Sequence, residues 1–280
     1  MTKAPATEEA VPTVSRVNEC FCRMCGSGRL KDSKIVGPVR LRSCCDCGFA
    51  GADLTEWESP YASADYYAGV DGGKAIASGW RLPYIEHRVK RIQRWIERGR
   101  AVDLGAGWGG MVECLMRAGF EAHGVEESQV VLETVSPLLP AGTWHCKGIE
   151  PFLAQSSAEF QVVTLYHVME HVRDPRRIAN GIERITTPGS VVVVEIPFLF
   201  GGKARLRGRR WEHLVPHHIN FFSLASLARL FPAERWALLD IERKPHFAHP
   251  QGIRLRDGWH KAMATLGLYD NICLTWRRLP

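Results

Sequence analysis

The chain has 280 residues, 45% of them apolar and 24% charged. That is enough to bury one α/β core with a small appendage, and no apolar run approaches the about eighteen residues that cross a bilayer. The formal net charge is +6, and nine cysteines without a secretory apolar segment argue against a disulfide framework and for metal chemistry in a cytoplasmic protein.

Residues 1–18, rich in Ala, Thr, Pro and Glu, are expected to form a disordered tail. A compact metal module is expected over 19–58. Cys22-Arg23-Met24-Cys25 and Cys44-Cys45-Asp46-Cys47 are two Cys-x-x-Cys knuckles separated by eighteen residues. Two thiolates three positions apart in a tight turn point the same way, and Gly26 and Gly48 directly after them give the turns their freedom. Cys22, Cys25, Cys44 and Cys47 are therefore read as the ligands of one structural tetrahedral zinc in a ribbon. Val36 to Leu41 would form one ribbon edge. Cys20 and Cys45 are out of phase with the knuckles, and Cys114, Cys146 and Cys273 are read as ordinary core residues.

Residues 59–99 are expected to form a lid and a linker helix. Tyr61, Tyr66 and Tyr67 crowd a stretch of loop chemistry. They would cover a cofactor or substrate, with Tyr66 and Tyr67 facing it, or cement the ribbon to the main domain; both readings stay open. Leu82, Ile85, Val89, Ile92 and Ile96 then recur at helical spacing. Arg88, Lys90, Arg91, Arg94 and Arg98 on that helix are read as a solvated face, although they could meet an anionic substrate.

From 100 to 280 the chain alternates in the βαβ manner of a parallel sheet. Strands are expected at 101–104, 121–125, 143–146, 161–166, 190–195, 237–244 and 271–277. After the first comes Asp103-Leu104-Gly105-Ala106-Gly107-Trp108-Gly109-Gly110, whose glycines at 105, 107 and 109 let a ligand approach the backbone. The helix from Gly110 would turn its positive end toward an anion. Glu126 closes the second strand about twenty residues on, where a carboxylate can accept ribose hydroxyl hydrogens. That pair suits a nicotinamide cofactor as well.

Two polar groups follow. His167, Glu170 and His171 end the fourth strand, where open α/β sheets place their crevice, and a histidine is suited to take a proton near neutral pH. His213, His217, His218 and Asn220 form a second cluster. Fourteen lysines and arginines against six acids from Gly201 onward concentrate the positive charge there, which would suit an anionic or carrier-linked substrate.

The stretch from about Arg81 to Phe231 resembles the class I S-adenosylmethionine (SAM) methyltransferases, in the branch of the ubiquinone-biosynthesis O-methyltransferases and many small-molecule and glycan methyltransferases. The resemblance rests on Val102-Asp103-Leu104-Gly105-Ala106-Gly107, on Glu121 to Glu126, and above all on Phe160 to Pro175 with its Glu170-His171 pair and Asp174-Pro175. Thr187-Pro188-Gly189-Ser190 with the strand to Pro197, and His217 to Ser223, complete it. It implies a Rossmann-like seven-stranded sheet with an antiparallel last strand. It also implies SAM held by Asp103, Gly105, Gly107, Gly109 and Glu126, with the adenine near Ile149.

The same resemblance implies methyl transfer to a small-molecule or saccharide acceptor, most readily at a hydroxyl, with His171 before His167 as general base beside Glu170. His217, His218 and Asn220 would roof the substrate pocket. The ubiquinone branch associates a related Glu-His pair with a divalent ion, which leaves magnesium open here, with His167 in place of an upstream acid. A partial resemblance to zinc-containing sugar C-methyltransferases, whose chains continue into a further large domain, makes carbon methylation an alternative. RNA methylation is another, but the Asn-Pro-Pro-Tyr motif of amino methylation is missing and the ribbon is not basic enough for an obvious nucleic-acid grip. A non-catalytic binding protein is the last.

Overall fold

The computed structural model describes residues 21–36, 39–52, 54, 82–135, 137, 140, 143–244, 265–267 and 269–280. The expected tail and the Tyr66–Tyr67 segment lie outside them. Among the described residues no helix is long and apolar enough to cross a membrane.

Seven strands form the main sheet: β4 (Arg100–Leu104), β5 (Glu121–Glu126), β6 (Trp144–Cys146), β7 (Phe160–Tyr166), β8 (Thr186–Pro197), β10 (Trp236–Lys244) and β11 (Asn271–Arg278), in the spatial order β10-β11-β8-β7-β4-β5-β6. The pairs among β4 to β8 are parallel. β11 is antiparallel to both β8 and β10, as the resemblance implied. Val191, Val192 and Val194 of β8 are completely buried, the continuous apolar run of a strand covered on both faces.

Helices cover both faces. α1 (Leu82–Ile92) and α2 (Gly110–Arg117) join one apolar cluster through Val89, Ile92, Met111, Val112 and Leu115. α3 (Gln129–Val135), α4 (Ile149–Gln155), α5 (Pro175–Arg184), α6 (Gly202–Arg207) and α7 (Leu224–Leu230) complete the set among the described residues. Asp174 caps α5 by accepting from the Arg176 and Arg177 N–H groups, with Pro175 in the first turn where no N–H is needed.

A second sheet contains the cysteine knuckles. β1 (Leu30–Val36) and β2 (Val39–Cys44) form a hairpin, and β3 (Ala50–Ala52) pairs with β2. Its fourth strand is distant in sequence: β9 (Asn220–Phe221) pairs with β3. Cys22, Met24, Cys44, Cys47 and Phe49 belong to the same core cluster as Val163, Leu165 and Val194 of the main sheet. The ribbon and the α/β domain therefore share one core.

Four sequence expectations need correction. Val36 to Leu41 is not one edge, since Val36 ends β1 and pairs with Val39, the first residue of β2. Cys146 is exposed, at the end of β6, the outermost strand among the described residues. β8 begins at Thr186, ahead of the expected start at Ser190, because a register shift between Phe160 and Val162 absorbs the Pro-Gly turn and the Ser190 hydroxyl bonds Phe160 O. Finally, the Arg88 and Arg91 side chains are only 10% and 12% exposed and are paired with acids, whereas a solvated face was expected.

Candidate functional site

The strand order reverses at β4, which has β5 on one side and β7 on the other, and such a reversal opens a crevice at the carboxyl ends of the strands. The glycine loop starts there, pinned by the Gly105 and Ala106 N–H groups on Val125 O. Gly105 has φ 75°, and a Cβ on it would stand 2.6 Å from Val168 Cγ2, so only glycine fits between the loop and the segment after β7. A Cβ on Gly107, with φ 48°, would meet no atom within 4 Å, which leaves that side of the loop open to a ligand. The sequence placed Gly109 in the same cradle; it precedes α2 with φ 77°. Ile149 Cδ1 lies 3.8 Å from the Gly105 position, so Ile149 and Val168 flank the loop.

Glu126 is buried at the end of β5. Its Oε2 accepts from the Gly107 N–H at 3.0 Å, and its Oε1 from Glu127 and Ser128 N–H groups. The carboxylate and the glycine loop therefore form one unit. Asp103 lies beneath the loop, where Thr164 Oγ1 donates to it at 2.6 Å. Burial carries its carboxyl up to about 7, against the pull of that bond.

His167 has φ 59°, in the left-handed region that a residue with a side chain rarely adopts. The turn lays its ring between two carboxylates, Nδ1 3.2 Å from Glu170 Oε1 and Nε2 3.4 Å from Glu195 Oε1. Burial alone would lower its pKa, but the bonds to Glu170 and Glu195 carry it up to about 9. His167 is an imidazolium at neutral pH and is not disposed to accept a proton. Burial would raise Glu170, yet the bond from the charged His167 holds it down to about 2.

Arg88 Nη2 reaches Glu195 Oε1 at 2.5 Å, and its guanidinium stands 4.2 Å from the Tyr84 ring centroid and 3.9 Å from that of Tyr166. Tyr84 also donates to Glu195 at 2.9 Å. An acid at the end of a buried valine strand needs such partners. The sequence carried a signal for this: Arg88 is three residues after Ile85 and four before Ile92, on the buried side of α1.

The two histidine clusters converge. His171 Nδ1 lies 2.9 Å from His217 O and His218 Nδ1 2.7 Å from His213 O. A carbonyl only accepts, so both Nδ1 atoms carry the proton and both Nε2 atoms the lone pair. Burial lowers His171 and takes His218 down to about 3 and His213 to about 4. His171 stacks on His217 at 5.5 Å and meets His218 edge-on at 4.7 Å. Asn220, expected to face substrate, is fully used inside the protein: Nδ2 donates to Met169 O and Val172 O, and Oδ1 accepts from Arg23. Its burial explains why.

Glu170, His171 and His218 bring one carboxylate and two imidazole nitrogens within 4.8 Å of one another. Magnesium prefers an octahedron of oxygen ligands, so this donor set does not fit it. The knuckle thiols do fit zinc. Cys22 and Cys47 Sγ are 3.6 Å apart, Cys25 and Cys44 Sγ 3.5 Å, and all four lie within 4.8 Å. A tetrahedron of zinc–sulfur bonds of about 2.3 Å has edges of about 3.8 Å.

The sequence pattern described as "Methyltransferase domain" matches residues 79–236. A ubiquinone biosynthesis O-methyltransferase of Methylococcus capsulatus is 34% identical over 123 residues, 40% of this chain and 47% of that protein. C-methyltransferase NovU of Streptomyces niveus is 23% identical over 174 residues, 56% of this chain and 39% of that protein. The chain thus spans less than half the length of either relative. Among solved structures, the plantazolicin methyltransferase BpumL in complex with SAH superposes with a TM-score of 0.54 at 11% identity, covering 79% of this chain and 92% of that one. With the matched pattern spanning more than half of its residues, and with this sheet order and glycine loop, the chain belongs to the methyltransferase-domain family and has the class I SAM-dependent methyltransferase fold.

Proposed function

We propose that the protein transfers a methyl group from SAM to a hydroxyl of a small-molecule or saccharide acceptor, with His171 as general base and a structural zinc on the four knuckle cysteines. The observation that carries this reading is the placing of His171, with Nδ1 on His217 O and its pKa lowered by burial, in the segment that packs, through Val168, on the glycine loop. Glu170 lies 3.8 Å from His171 Nε2, and its Oε2 is buried without a hydrogen-bond partner.

Bound SAM supplies a methyl group already activated on a sulfonium. The glycine loop and Glu126 would hold the nucleoside, and Ile149 the edge of the adenine. His171 Nε2 would take the acceptor's hydroxyl proton as the oxygen–methyl bond forms and the sulfur–methyl bond breaks, its electron pair passing to the sulfur of S-adenosylhomocysteine (SAH). The resulting imidazolium is stabilised by the Glu170 carboxylate. His217 and His218 would contact the acceptor. Arg205, Arg207, Arg209 and Arg210 are exposed just beyond the carboxyl end of β8 and support an anionic or carrier-linked substrate.

Single-turnover kinetics with His171→Ala, once the acceptor is known, should show a loss of about 10²- to 10⁴-fold with SAM affinity kept. An unchanged rate sinks the base assignment. Strict dependence on an added divalent ion would instead make Glu170 and His171 metal ligands. The second reading is carbon methylation, favoured by the similarity to the C-methyltransferase over 56% of the chain; locating the new methyl by NMR decides between them.

A further inference from the structure

We infer that Arg23, inside the first cysteine knuckle, is a positioning residue that sets the segment carrying Glu170 and His171, so that the ribbon is a working part of the active site. This rests on the reading above that these two residues serve methyl transfer.

Arg23 stands between Cys22 and Cys25 in the chain. Its Nη2 donates to Ile219 O and to Asn220 Oδ1, each at 3.0 Å, and its guanidinium lies 5.6 Å from the Phe49 ring centroid. Gly51 makes room for it, since a Cβ there would come within 2.6 Å of Nη2. Asn220 is the next link. Its Nδ2 donates to Met169 O at 2.9 Å and Val172 O at 2.7 Å, bracketing Glu170 and His171. The backbone closes the clasp, because the Ile219 and Asn220 N–H groups both reach Glu170 O, at 2.9 and 3.0 Å.

Arg23 and the Met169 and Val172 carbonyls together fix which way the Asn220 amide points. A half-turn of that amide would set its NH₂ against the guanidinium and its oxygen against two carbonyls, losing three bonds at once. Without the Arg23 donor the Asn220 amide keeps its two Nδ2 bonds but loses the charged anchor on Oδ1, and the clasp on the Met169 and Val172 carbonyls is held less rigidly. Docking of the ribbon itself does not depend on Arg23. The Ser223 hydroxyl donates to Cys47 O, Phe49 packs on Phe222 at 5.4 Å, and β3 pairs with β9.

The test uses the full zinc-loaded chain as Arg23→Met, which keeps the stem and removes the donors, and Arg23→Lys, which keeps a cation. Three readouts need no acceptor: amide hydrogen exchange, the imidazole titration of His171 by NMR, and SAH calorimetry. In Arg23→Met, zinc content and SAH affinity should hold, while the Ile219 and Asn220 amides exchange roughly tenfold faster or more. The His171 midpoint, held low by burial, should move toward about 6.5, and Arg23→Lys should recover part of both effects.

Faster exchange confined to residues 21–52, with His171 unmoved, overturns the proposal. If Arg23→Met does not fold, the same comparison in Arg23→Lys carries the test. Wild-type turnover in His171→Ala together with a loosened segment in Arg23→Met would remove the base assignment and leave the hold of Arg23 on that segment standing.

Discussion

Two histidines four residues apart are pushed in opposite directions by what surrounds each ring. His167 lies between two acids that raise its pKa to about 9, whereas His171 donates from Nδ1 to a carbonyl and is half-buried, which lowers its pKa. Nothing in the order His-Val-Met-Glu-His separates them. Glu126 is equally dependent on its setting, since its carboxylate gathers three backbone N–H groups around the glycine loop. Glu126→Ala should therefore weaken SAH binding by an amount on the order of 1.5 to 3 kcal/mol, read by calorimetry. Glu126→Gln keeps one acceptor oxygen and should lose less. Full affinity in a folded Glu126→Ala protein would take Glu126 out of the site.

The two-residue strand β9 changes what the ribbon is. From the sequence, the knuckles read as a compact module of their own. The pairing of β9 with β3, and the knuckle residues within the main core, predict that it does not unfold alone. Cys25→Ser should lose its metal and destabilise the whole chain by more than about 3 kcal/mol, at the large end for one substitution. Urea unfolding followed by tryptophan fluorescence, together with zinc release to a chromogenic chelator, checks this. The two signals should move together in the native protein; zinc release without a shift of the fluorescence transition would mean an independent ribbon.

Across the whole molecule, histidines set stability against pH in two directions. His213 and His218 are neutral in the fold, down to about 4 and about 3. An unfolded histidine titrates near 6.5, so their contribution is fully present above that value and is lost as pH falls toward 4 and 3. His167 has the opposite sign. Its pKa is raised to about 9, so its contribution is complete below about 6.5 and is lost as pH rises through 9. Urea midpoints measured from pH 5 to 9.5 should fall on the alkaline side in the native protein. In His167→Asn, which tolerates the left-handed backbone, that alkaline fall should flatten. An identical slope in both proteins would mean that His167 is not charged in the fold.

Much of this architecture is local information. Apolar runs covered on both faces, the glycine loop and the spacing of the cysteines are written within short stretches, and they mark out seven strands, a glycine turn at the sheet's reversal and a group of four thiols without reference to the rest of the chain. The family pattern over residues 79–236 agrees with them. Burial of an isolated polar residue is not local. Arg88 reads as one more cation on a helix until Glu195, more than a hundred residues later, comes to meet it. Asn220 reads as a substrate contact until its amide is seen joining Arg23 to the carbonyls of Met169 and Val172. Which histidine is charged, which polar group is structural and whether the ribbon stands alone are decided by partners from distant segments. Their desolvation and pairing energies exist only once the core has closed.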